Sequence, residues 1–325
     1  MAFISIDNVS ITGISCAVPK HKSEISNTKF SLTTGVYEKR IVTNDICTSD
    51  LCLSAATKLI EDLNINKDDI EILIFVSQTS DYKLPVTSTI LQNKLELSQK
   101  CICFDIPLGC SGYTYGLSVI SSLISNGKFK KGLLLVGDTI SKTVNITDTN
   151  TEPLFGDAGS ATLLEYDIDA HSMLFGLGSD GSGYNSIIIP GGGYRNPSES
   201  DKLVLNGIDV FNFGISKIPK VVTEFLNNFN LSIDSINLFI FHQANKFMND
   251  KIYKKLNIPI SKTLSSIESF GNTSSATIPL TLITNKNSID KDTTLLFCGF
   301  GVGLSWGTSY IHLHKTLHCS KLIEI

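Results

Sequence analysis

Three side chains with the means for covalent chemistry stand out in the sequence: Cys110, His242 and Asn272. Cys110 lies between a short apolar run over 101–106, which predicts a buried strand, and a longer one over 111–126, which predicts a helix. At the start of a helix, unpaired N–H groups and the positive end of the helix dipole favour a thiolate. This position makes Cys110 a candidate nucleophile.

The other two residues stand at similar joints. His242 follows directly on a predicted strand over 238–241, and Asn272 opens a predicted helix at Gly271-Asn-Thr-Ser274. Each residue alone has an ordinary explanation: a structural histidine, a helix N-cap, and a small buried cysteine. Together they suit acyl transfer, because a thiolate can take an acyl group while two hydrogen-bond donors stabilise an oxyanion or an enolate.

The elements around these residues occur twice in the chain. Alternating strand-like and helical segments predict an α/β fold with a largely buried sheet. Cys110 and Asn272 are 162 residues apart, and so are Leu133 and Leu295 in two matching strand segments. A duplicated unit with a pseudo-twofold axis would bring Cys110 and Asn272 to one crevice near the carboxyl ends of the strands. A chance likeness between two βα units is the alternative, and the matched spacing argues against it.

Composition excludes several classes of protein. A chain of 325 residues with 42% apolar and 18% charged residues predicts a cytoplasmic globular protein of about two domains. The net charge of −4 gives no reason to expect nucleic acid or a membrane surface as a partner. No signal peptide and no apolar run near the roughly 18 residues of a membrane span is present. We therefore expect a cytoplasmic location.

No cofactor and no metal are expected either. The eight cysteines contain no CxxC pair, so a metal site is disfavoured. The segment Gly176–Gly181 matches GxGxxG, but a predicted strand follows it where a dinucleotide site needs a helix. We expect neither group to take part in the chemistry.

Five ordered motifs resemble the β-ketoacyl-acyl carrier protein synthase III family of the thiolase superfamily. They are Leu108-Gly-Cys-Ser-Gly-Tyr-Thr-Tyr115, Leu154-Phe-Gly-Asp-Ala-Gly-Ser160, Phe241-His-Gln-Ala-Asn245, Gly271-Asn-Thr-Ser274 and Gly299-Phe-Gly-Val-Gly-Leu-Ser-Trp-Gly307. A sixth, Thr34-Gly-Val-Tyr-Glu-Lys-Arg40, extends the likeness from about residue 5 to about residue 314. The resemblance implies a five-layered αβαβα fold of two pseudo-twofold-related halves, here residues 1–166 and 167–325, and a homodimer.

The resemblance also implies a two-stage reaction. Cys110 would accept an acyl group from a thioester, in an oxyanion hole built from the backbone N–H groups of Cys110 and Val302. His242 and Asn272 would then stabilise the enolate that malonyl-carrier protein leaves on losing carbon dioxide, and this carbanion would attack the acyl-cysteine. The acyl carrier protein and an acyl thioester are the implied partners.

Further residues carry over from the family as candidates for substrate binding. They are Leu84, Phe211, Asn245 and Gly303. Leu84 stands where the family often has a phenylalanine that reaches into the partner subunit's acyl tunnel, which suggests a longer or branched acyl group. Lysines on the helix after His242 could form a docking surface for an acidic carrier protein, or be ordinary surface lysines; those concerned are Lys246, Lys254 and Lys255.

Three polar contacts that the family makes to coenzyme A are missing from this chain, and so is a tryptophan that grips its adenine end. Tyr37 occupies the place of an arginine, no tryptophan precedes Thr34, Thr149 replaces a second arginine, and Ile208 replaces an asparagine. We therefore expect a carrier-bound or unusual acyl donor rather than a simple acyl-CoA.

Two other functions remain open beside decarboxylating condensation. The first is a relative that moves the acyl group to a hydroxyl or amine of a sugar or secondary metabolite, for which Asn272 would be dispensable. The second is a non-catalytic partner subunit, although such subunits usually lose the nucleophile. A degradative thiolase reaction is disfavoured, because Cys298 is shifted by one residue from the position of the second catalytic cysteine in that branch.

Overall fold

The computed structural model describes residues 1–26 and 28–325 as an alternating α/β chain. The strands are β1 (Ala2–Ile6), β2 (Val9–Val18), β3 (Lys22–Glu24), β4 (Glu38–Arg40), β5 (Ile72–Val76), β6 (Ile102–Ile106), β7 (Lys131–Asp138), β8 (Ala158–Tyr166), β9 (Met173–Ser179), β10 (Ile187–Ile188), β11 (Val204–Leu205), β12 (Leu238–Phe241), β13 (Thr294–Gly301), β14 (Ser305–His312), β15 (His318–Cys319) and β16 (Ile323–Glu324). The helices are α1 (Thr28–Thr34), α2 (Thr48–Asp62), α3 (Thr87–Lys94), α4 (Gly112–Ile124), α5 (Gly207–Asn228), α6 (Lys246–Leu256), α7 (Ile267–Phe270) and α8 (Thr277–Thr284).

Two large sheets repeat the same topology. In one sheet the order β2-β8-β7-β5-β6 has β5 parallel to β7 and β6, with β8 antiparallel to β7 and β2. In the other the order β9-β14-β13-β12 has β12 parallel to β13, with β14 antiparallel to β13 and β9. An isolated parallel bridge between Phe239 and Thr263 lies where β6 stands in the first sheet. The predicted pseudo-twofold duplication is confirmed.

The helices and sheets form five layers. Helices α2 and α3 cover the outer face of the first sheet, and α5 and α6 cover the outer face of the second. Helices α4 and α8 lie between the sheets and contact strands of both. Each sheet is therefore buried on both faces, which explains why central strands such as β5 (ILIFV) are apolar throughout. The predicted αβαβα architecture is confirmed.

The apolar core follows these layers. A central cluster around Tyr113, Leu117 and Phe297 fills the space between the two sheets. A second cluster packs α5 and α6 on the second sheet, and a third packs α2 and α3 on the first. Since α4 and α8 sit in the middle of this core, the residues at their N-terminal ends are held by packing on both sides.

The ends of the chain cross between the two sheets. Strand β1 pairs with β9 in the second sheet, whereas β15 and β16 pair with β2 in the first. The division into residues 1–166 and 167–325 stays a prediction, and these terminal strands run across it. In the described part of the chain, no helix is both long and apolar enough to cross a bilayer.

Candidate active site

Cys110 lies in the turn between β6 and α4, two residues before the helix begins at Gly112. It is partly buried and borders a cavity. A Cβ atom added to Gly301 would lie 2.7 Å from its sulfur, so the loop after β13 closes directly over the thiol. The backbone N–H groups of Val302 and of Cys110 itself both hydrogen-bond the sulfur. These are the two N–H groups predicted for the oxyanion hole.

At Cys110, burial outweighs the preference for a thiolate that a helix N-terminus provides. Burial raises the pKa of the Cys110 thiol to about 11, and the Asp138 carboxylate adds to the rise. Hydrogen bonds from Val302, from Cys110 itself and from the Ser274 side chain lower the pKa, but they do not compensate. Sequence reasoning counted the helix N-terminus and missed the cost of desolvating a thiolate. The thiol is therefore protonated near neutral pH.

His242 follows β12 directly and is 1% exposed. Its backbone N–H donates to the carbonyl of Cys298, and its carbonyl accepts a bond from the Asn249 side chain, which fixes the main chain. Nδ1 lies 2.8 Å from Oγ1 of Thr277 at the start of α8. Burial lowers the pKa of His242 to about 3, against a hydrogen bond with the backbone of Ser274. The imidazole is therefore neutral at physiological pH.

Asn272 is oriented by its own hydrogen bonds. Its Oδ1 accepts a bond of 2.9 Å from the backbone N–H of Ser274, so the opposite end of the amide is Nδ2, a donor. Nδ2 has a long contact of 3.5 Å with the carbonyl of Ala244, close to His242. The side chain is 5% exposed and lines the same cavity as Cys110. The amide can therefore offer N–H hydrogens to a substrate carbonyl.

The segment Leu154–Gly156 holds the Asn272 backbone. Asn272 N–H donates to the carbonyl of Leu154, and Gly156 N–H donates to the carbonyl of Asn272. Gly271 has φ +65°, and a Cβ there would lie 2.7 Å from the carbonyl oxygen of Leu154. Two of the sequence motifs thus form one structural unit, and glycine at 271 permits their close approach.

Asp138 is a residue of the site that sequence reasoning missed. It ends β7, is fully buried, and bonds residues on both sides of the cavity floor, including Ser77 and Ser275. A carboxylate at the carboxyl end of a buried strand was the signal that could have revealed it. Thr277 and Ser274, which contact the His242 ring, were missed as well.

A cavity of about 440 Å³ joins the three candidate catalytic residues. Cys110, His242 and Asn272 all line it, as do Phe211 and Asn245. Aliphatic and aromatic side chains form most of the remaining wall: Ile140, Leu154, Phe155, Ile187, Ile188, Ile189, Leu203, Leu205, Val210, Phe247, Met248 and Phe300. Such a wall fits the hydrocarbon part of an acyl group.

Two other predicted substrate contacts lie outside this cavity wall. Leu84 is 80% exposed and does not line the cavity of its own chain. Gly303 has φ +128° and follows Val302, which does line the cavity. Asn245 lines the cavity, and its side chain also caps α6 by accepting a bond from the N–H of Met248. Its Oδ1 is therefore engaged in holding the helix.

The predicted docking lysines differ in their surroundings. Lys246 forms an ion pair of 3.3 Å with Asp250, and Lys255 donates to the carbonyl of Ile215 on α5. Lys254 is exposed. A fourth lysine of the same helix, Lys251, lies over the ring of Phe247 at the cavity mouth. These four side chains, Lys246, Lys251, Lys254 and Lys255, are called the α6 lysines below.

The two-sheet fold is that of thiolase-like enzymes. A crystal structure of a 3-oxoacyl-(acyl-carrier protein) synthase from Burkholderia xenovorans matches with a TM-score of 0.95 and 35% identity, over 100% of this chain and 99% of that one. The priming β-ketosynthase of the R1128 polyketide pathway, at 21% identity and a TM-score of 0.87, shares the fold.

Sequence comparison narrows the class. The models of 3-oxoacyl-[acyl-carrier-protein (ACP)] synthase III and of its C-terminal part match residues 104–181 and 226–313. The β-ketoacyl-[acyl-carrier-protein] synthase III of Fusobacterium nucleatum is 32% identical over 86% of this chain and 88% of the relative. One from Staphylococcus epidermidis is 36% identical over 89% and 90%. The chain belongs to the 3-oxoacyl-[acyl-carrier-protein] synthase III family, and it is an acyltransferase.

Proposed function

We propose that this protein takes an acyl group onto Cys110 and condenses it with malonyl-carrier protein, with loss of carbon dioxide. The observation that carries the proposal is that Cys110, His242 and Asn272, from three separate elements, line one cavity with an apolar wall. A nucleophile beside two neutral groups that can donate hydrogen bonds is the set that both stages require.

In the first stage the Cys110 thiol attacks the carbonyl carbon of the acyl thioester. With a thiol pKa of about 11, the proton must leave during the attack. The neutral imidazole of His242, a weak base with a pKa of about 3, takes the proton only in passing and relays it to the donor sulfur. The N–H groups of Cys110 and Val302 stabilise the tetrahedral oxyanion. The intermediate then expels the donor thiolate, which takes the proton back and leaves as a thiol.

In the second stage the malonyl thioester carbonyl binds between His242 and Asn272. The C–C bond to the carboxylate breaks, carbon dioxide leaves, and the electron pair forms an enolate whose oxygen accepts hydrogen bonds from the imidazole and from Asn272 Nδ2. The carbanion carbon then attacks the acyl-cysteine, and the Cys110 thiolate is the leaving group. The 3-ketoacyl product stays on the carrier. Removing one such donor typically costs about 10²–10³ in kcat.

Neutral histidine suits both stages. Thr277 Oγ1 carries one hydrogen and lies 2.8 Å from His242 Nδ1 and 3.0 Å from the carbonyl of Ser274. When the hydroxyl donates to the carbonyl, Nδ1 carries the ring proton and Nε2 can accept one from a thiol. When the hydroxyl donates to Nδ1, Nε2 carries the proton and can donate to an enolate oxygen.

We further propose that the acyl donor arrives on a carrier protein. The cavity mouth is apolar: Ile208 is 74% exposed and lines the cavity, and the rings of Phe211 and Phe247 stack at 5.6 Å. The chain has only two arginines, and Arg40 is buried, bonded to Pro19 and Glu324. The side chains at this mouth offer few hydrogen bonds to the adenine of coenzyme A, and the α6 lysines beside it suit the acidic surface of a carrier protein.

One experiment tests both proposals. The protein is incubated with matched acyl-CoA and acyl-carrier-protein donors, the mass added to Cys110 is read by mass spectrometry, and malonyl-carrier protein is then added. Acylation from the carrier donor, followed by release of carbon dioxide and a 3-ketoacyl product, supports the proposals. Cys110→Ala should take up no acyl group, whereas Cys298→Ala, which removes another buried thiol, should be acylated normally.

Other outcomes of this experiment would point elsewhere. Equal acylation from the acyl-CoA donor would overturn the carrier proposal alone. Acylation without carbon dioxide release, discharged instead by an alcohol or amine, would favour the non-decarboxylating acyl transfer. No acylation from any donor would favour a non-catalytic partner subunit.

The α6 lysines are our candidate docking surface for the acidic carrier protein. They lie on α6, which begins four residues after His242 and lines the cavity mouth through Phe247. Lys254→Glu should raise the KM for carrier-bound substrate several-fold at low salt, with kcat unchanged, because charge steering acts on encounter. Lys128→Glu, an exposed lysine beyond α4, is the matched control and should leave KM unchanged. An unchanged KM in the Lys254 variant would remove this helix from the docking surface.

We also propose that the protein is a homodimer and works in the cytoplasm. Strand β6 is the end strand of its sheet, and Ile102 on it is 41% exposed. Leu84 and Val86 nearby in the chain are 80% and 42% exposed, which leaves an apolar surface for a second copy. The eight cysteines, all among the described residues, are free thiols, as in proteins of a reducing compartment.

A further inference from the structure

Asp138 is a buried carboxylate that joins the two halves beneath the catalytic residues. Its Oδ1 accepts bonds from the first half: the backbone N–H of Gln78 at 2.7 Å, Ser77 Oγ at 3.0 Å and Thr79 Oγ1 at 3.3 Å. Its Oδ2 accepts bonds from the second half: Ser275 Oγ at 2.6 Å and the Ser275 N–H at 3.2 Å. The carboxylate therefore spans the junction between the halves.

The residue next to this bond is strained. Ser274 has φ +51°, a left-handed conformation that is unfavourable for a non-glycine residue. Its N–H donates to Oδ1 of Asn272, its side chain bonds the Cys110 sulfur, and its backbone bonds the His242 ring. One strained serine thus contacts all three catalytic candidates, and surrounding bonds must hold it in place.

We propose that the Asp138 carboxylate is a positioning residue for the decarboxylation stage. By bonding the Ser275 N–H and hydroxyl, it holds Ser274 in the left-handed conformation, and Ser274 in turn orients the Asn272 amide and the His242 ring. This inference rests on the proposed function, since it assigns Asp138 to one of the two proposed stages.

The location of the carboxylate argues for a role beyond folding. Burial raises the pKa of Asp138, and hydrogen bonds from Ser275 and Gln78 lower it, so keeping this carboxylate charged has a desolvation cost that neutral residues would avoid. It also opposes ionisation of the Cys110 thiol, because burial together with the Asp138 charge raises the pKa of that thiol. The Asp138 charge disfavours ionisation of the nucleophile, so we look for a compensating benefit elsewhere in the site. Both Oδ2 bonds come from Ser275, next to the residue that orients Asn272 and His242.

Asp138→Asn tests the proposal. The amide oxygen can still accept the bonds from Ser77, Gln78 and Thr79, but an NH₂ group replaces Oδ2 and faces the Ser275 N–H. We expect carbon dioxide release to slow about 10²-fold, the usual effect of a small misplacement of catalytic groups. Acylation of Cys110 does not use Asn272, and a lower pKa of the thiol offsets a displaced His242 ring, so its rate should change less than about threefold.

Two further variants separate positioning from loss of folding. Ser275→Ala removes one of the two Oδ2 bonds and should slow the same stage by a smaller factor. Asp157→Asn is the matched control: that carboxylate is also fully buried, but it bonds Val42 and Ser141 of the first half. It should lower thermal stability and leave the ratio of the two stage rates at the wild-type value.

A reaction-independent measurement completes the test. Because a nearby negative charge is removed, the pH midpoint for alkylation of Cys110 by iodoacetamide should fall by about one unit in Asp138→Asn and stay unchanged in Asp157→Asn. An unchanged midpoint, or an unchanged rate ratio in both Asp138→Asn and Ser275→Ala, would overturn the proposal. If the wild-type protein released no carbon dioxide, the proposed function itself would fail. The wild-type assay alone shows this, so the result is distinct from a failure of the Asp138 proposal.

Discussion

At the level of single residues, the site keeps its acid–base groups neutral. The Cys110 thiol is held protonated by burial, and the His242 imidazole is held deprotonated by the same cause. Burial disfavours both charged forms, so the pair rests as thiol and imidazole rather than as thiolate and imidazolium. A neutral histidine can accept a proton in one stage and donate a hydrogen bond in the next. An imidazolium can donate but has no lone pair that could accept the proton.

The neutral state of His242 has a consequence for stability. Its pKa is about 3 in the folded protein and 6.5 in the reference state, so the unfolded chain binds the proton first. The stability contributed by the neutral form is present above pH 6.5 and is lost as pH falls towards 3. Between pH 7.5 and pH 5 this residue alone should lower the free energy of unfolding by about 2 kcal/mol.

Urea unfolding of wild type and His242→Gln at these two pH values checks this prediction. The glutamine cannot titrate, so its loss on acidification should be about 2 kcal/mol smaller than that of the wild type. His21→Gln, which removes an exposed histidine, serves as the control and should behave as the wild type does. Equal pH dependence in all three proteins would mean that His242 is not buried in its neutral form.

At the level of elements, the site lies in the short connections that join a strand to a helix or one helix to the next. Cys110 lies between β6 and α4, His242 follows β12, and Asn272 lies between α7 and α8. The helix N-termini point into the central layer, where α4 and α8 are packed between the two sheets. The short loops at these junctions are therefore held on both sides, and small backbone changes in them should alter catalysis.

Gly271 is the most sensitive position of this kind. Gly271→Ala places a methyl group 2.7 Å from the carbonyl oxygen of Leu154 at φ +65°, so the chain must shift and carry Asn272 with it. We expect carbon dioxide release to fall about 10²-fold or more, and the free energy of unfolding to fall by about 1–3 kcal/mol. Stopped-flow assays of each stage and urea unfolding measure the two effects.

Gly181→Ala is the matched substitution. No heavy atom lies within 4 Å of a Cβ at that glycine, so the alanine meets no obstacle. Activity and stability should stay within experimental error of the wild type. Comparable losses in both variants would show that the close contact at Gly271 is not the cause.

At the level of the whole molecule, the proposed homodimer would complete the acyl cavity. Leu84 does not line the cavity of its own chain, and only a second copy could bring it to an acyl group. Ile102→Lys puts a charge on the exposed face of the end strand β6 and should convert a dimer of about 71 kDa, twice the 35.4 kDa chain, into monomers. Light scattering after gel filtration measures the mass.

The control for the dimer is another exposed isoleucine. Ile168, 66% exposed in the turn between β8 and β9, lies away from β6, and Ile168→Lys should leave the mass unchanged. A monomeric wild-type protein at micromolar concentration would contradict the homodimer. Dissociation of both variants would indicate an interface elsewhere.

Sequence patterns were enough for the fold class and for the three candidate catalytic residues. The apolar strands, the matched offset of 162 residues and the five motifs each depend on local order along the chain, which a sequence displays directly. The boundaries of α4 differ by one or two residues, predicted over 111–126 and observed as Gly112–Ile124. Caps and fraying explain differences of this size. The helix predicted to open at Asn272 is wrong by more, because α8 begins only at Thr277 after a 3-10 turn.

The electrostatics of the site depended on the tertiary structure. The state of the Cys110 thiol, the role of Asp138 and the strained Ser274 all arise from groups distant in sequence: Asp138 and Ser275 are 137 residues apart, yet their oxygens lie 2.6 Å apart. The desolvation cost of a group depends on all the atoms that surround it in the folded protein. Its effect on a pKa therefore cannot be predicted from the sequence alone. Local order therefore specifies which residues meet, and only their common burial specifies their protonation.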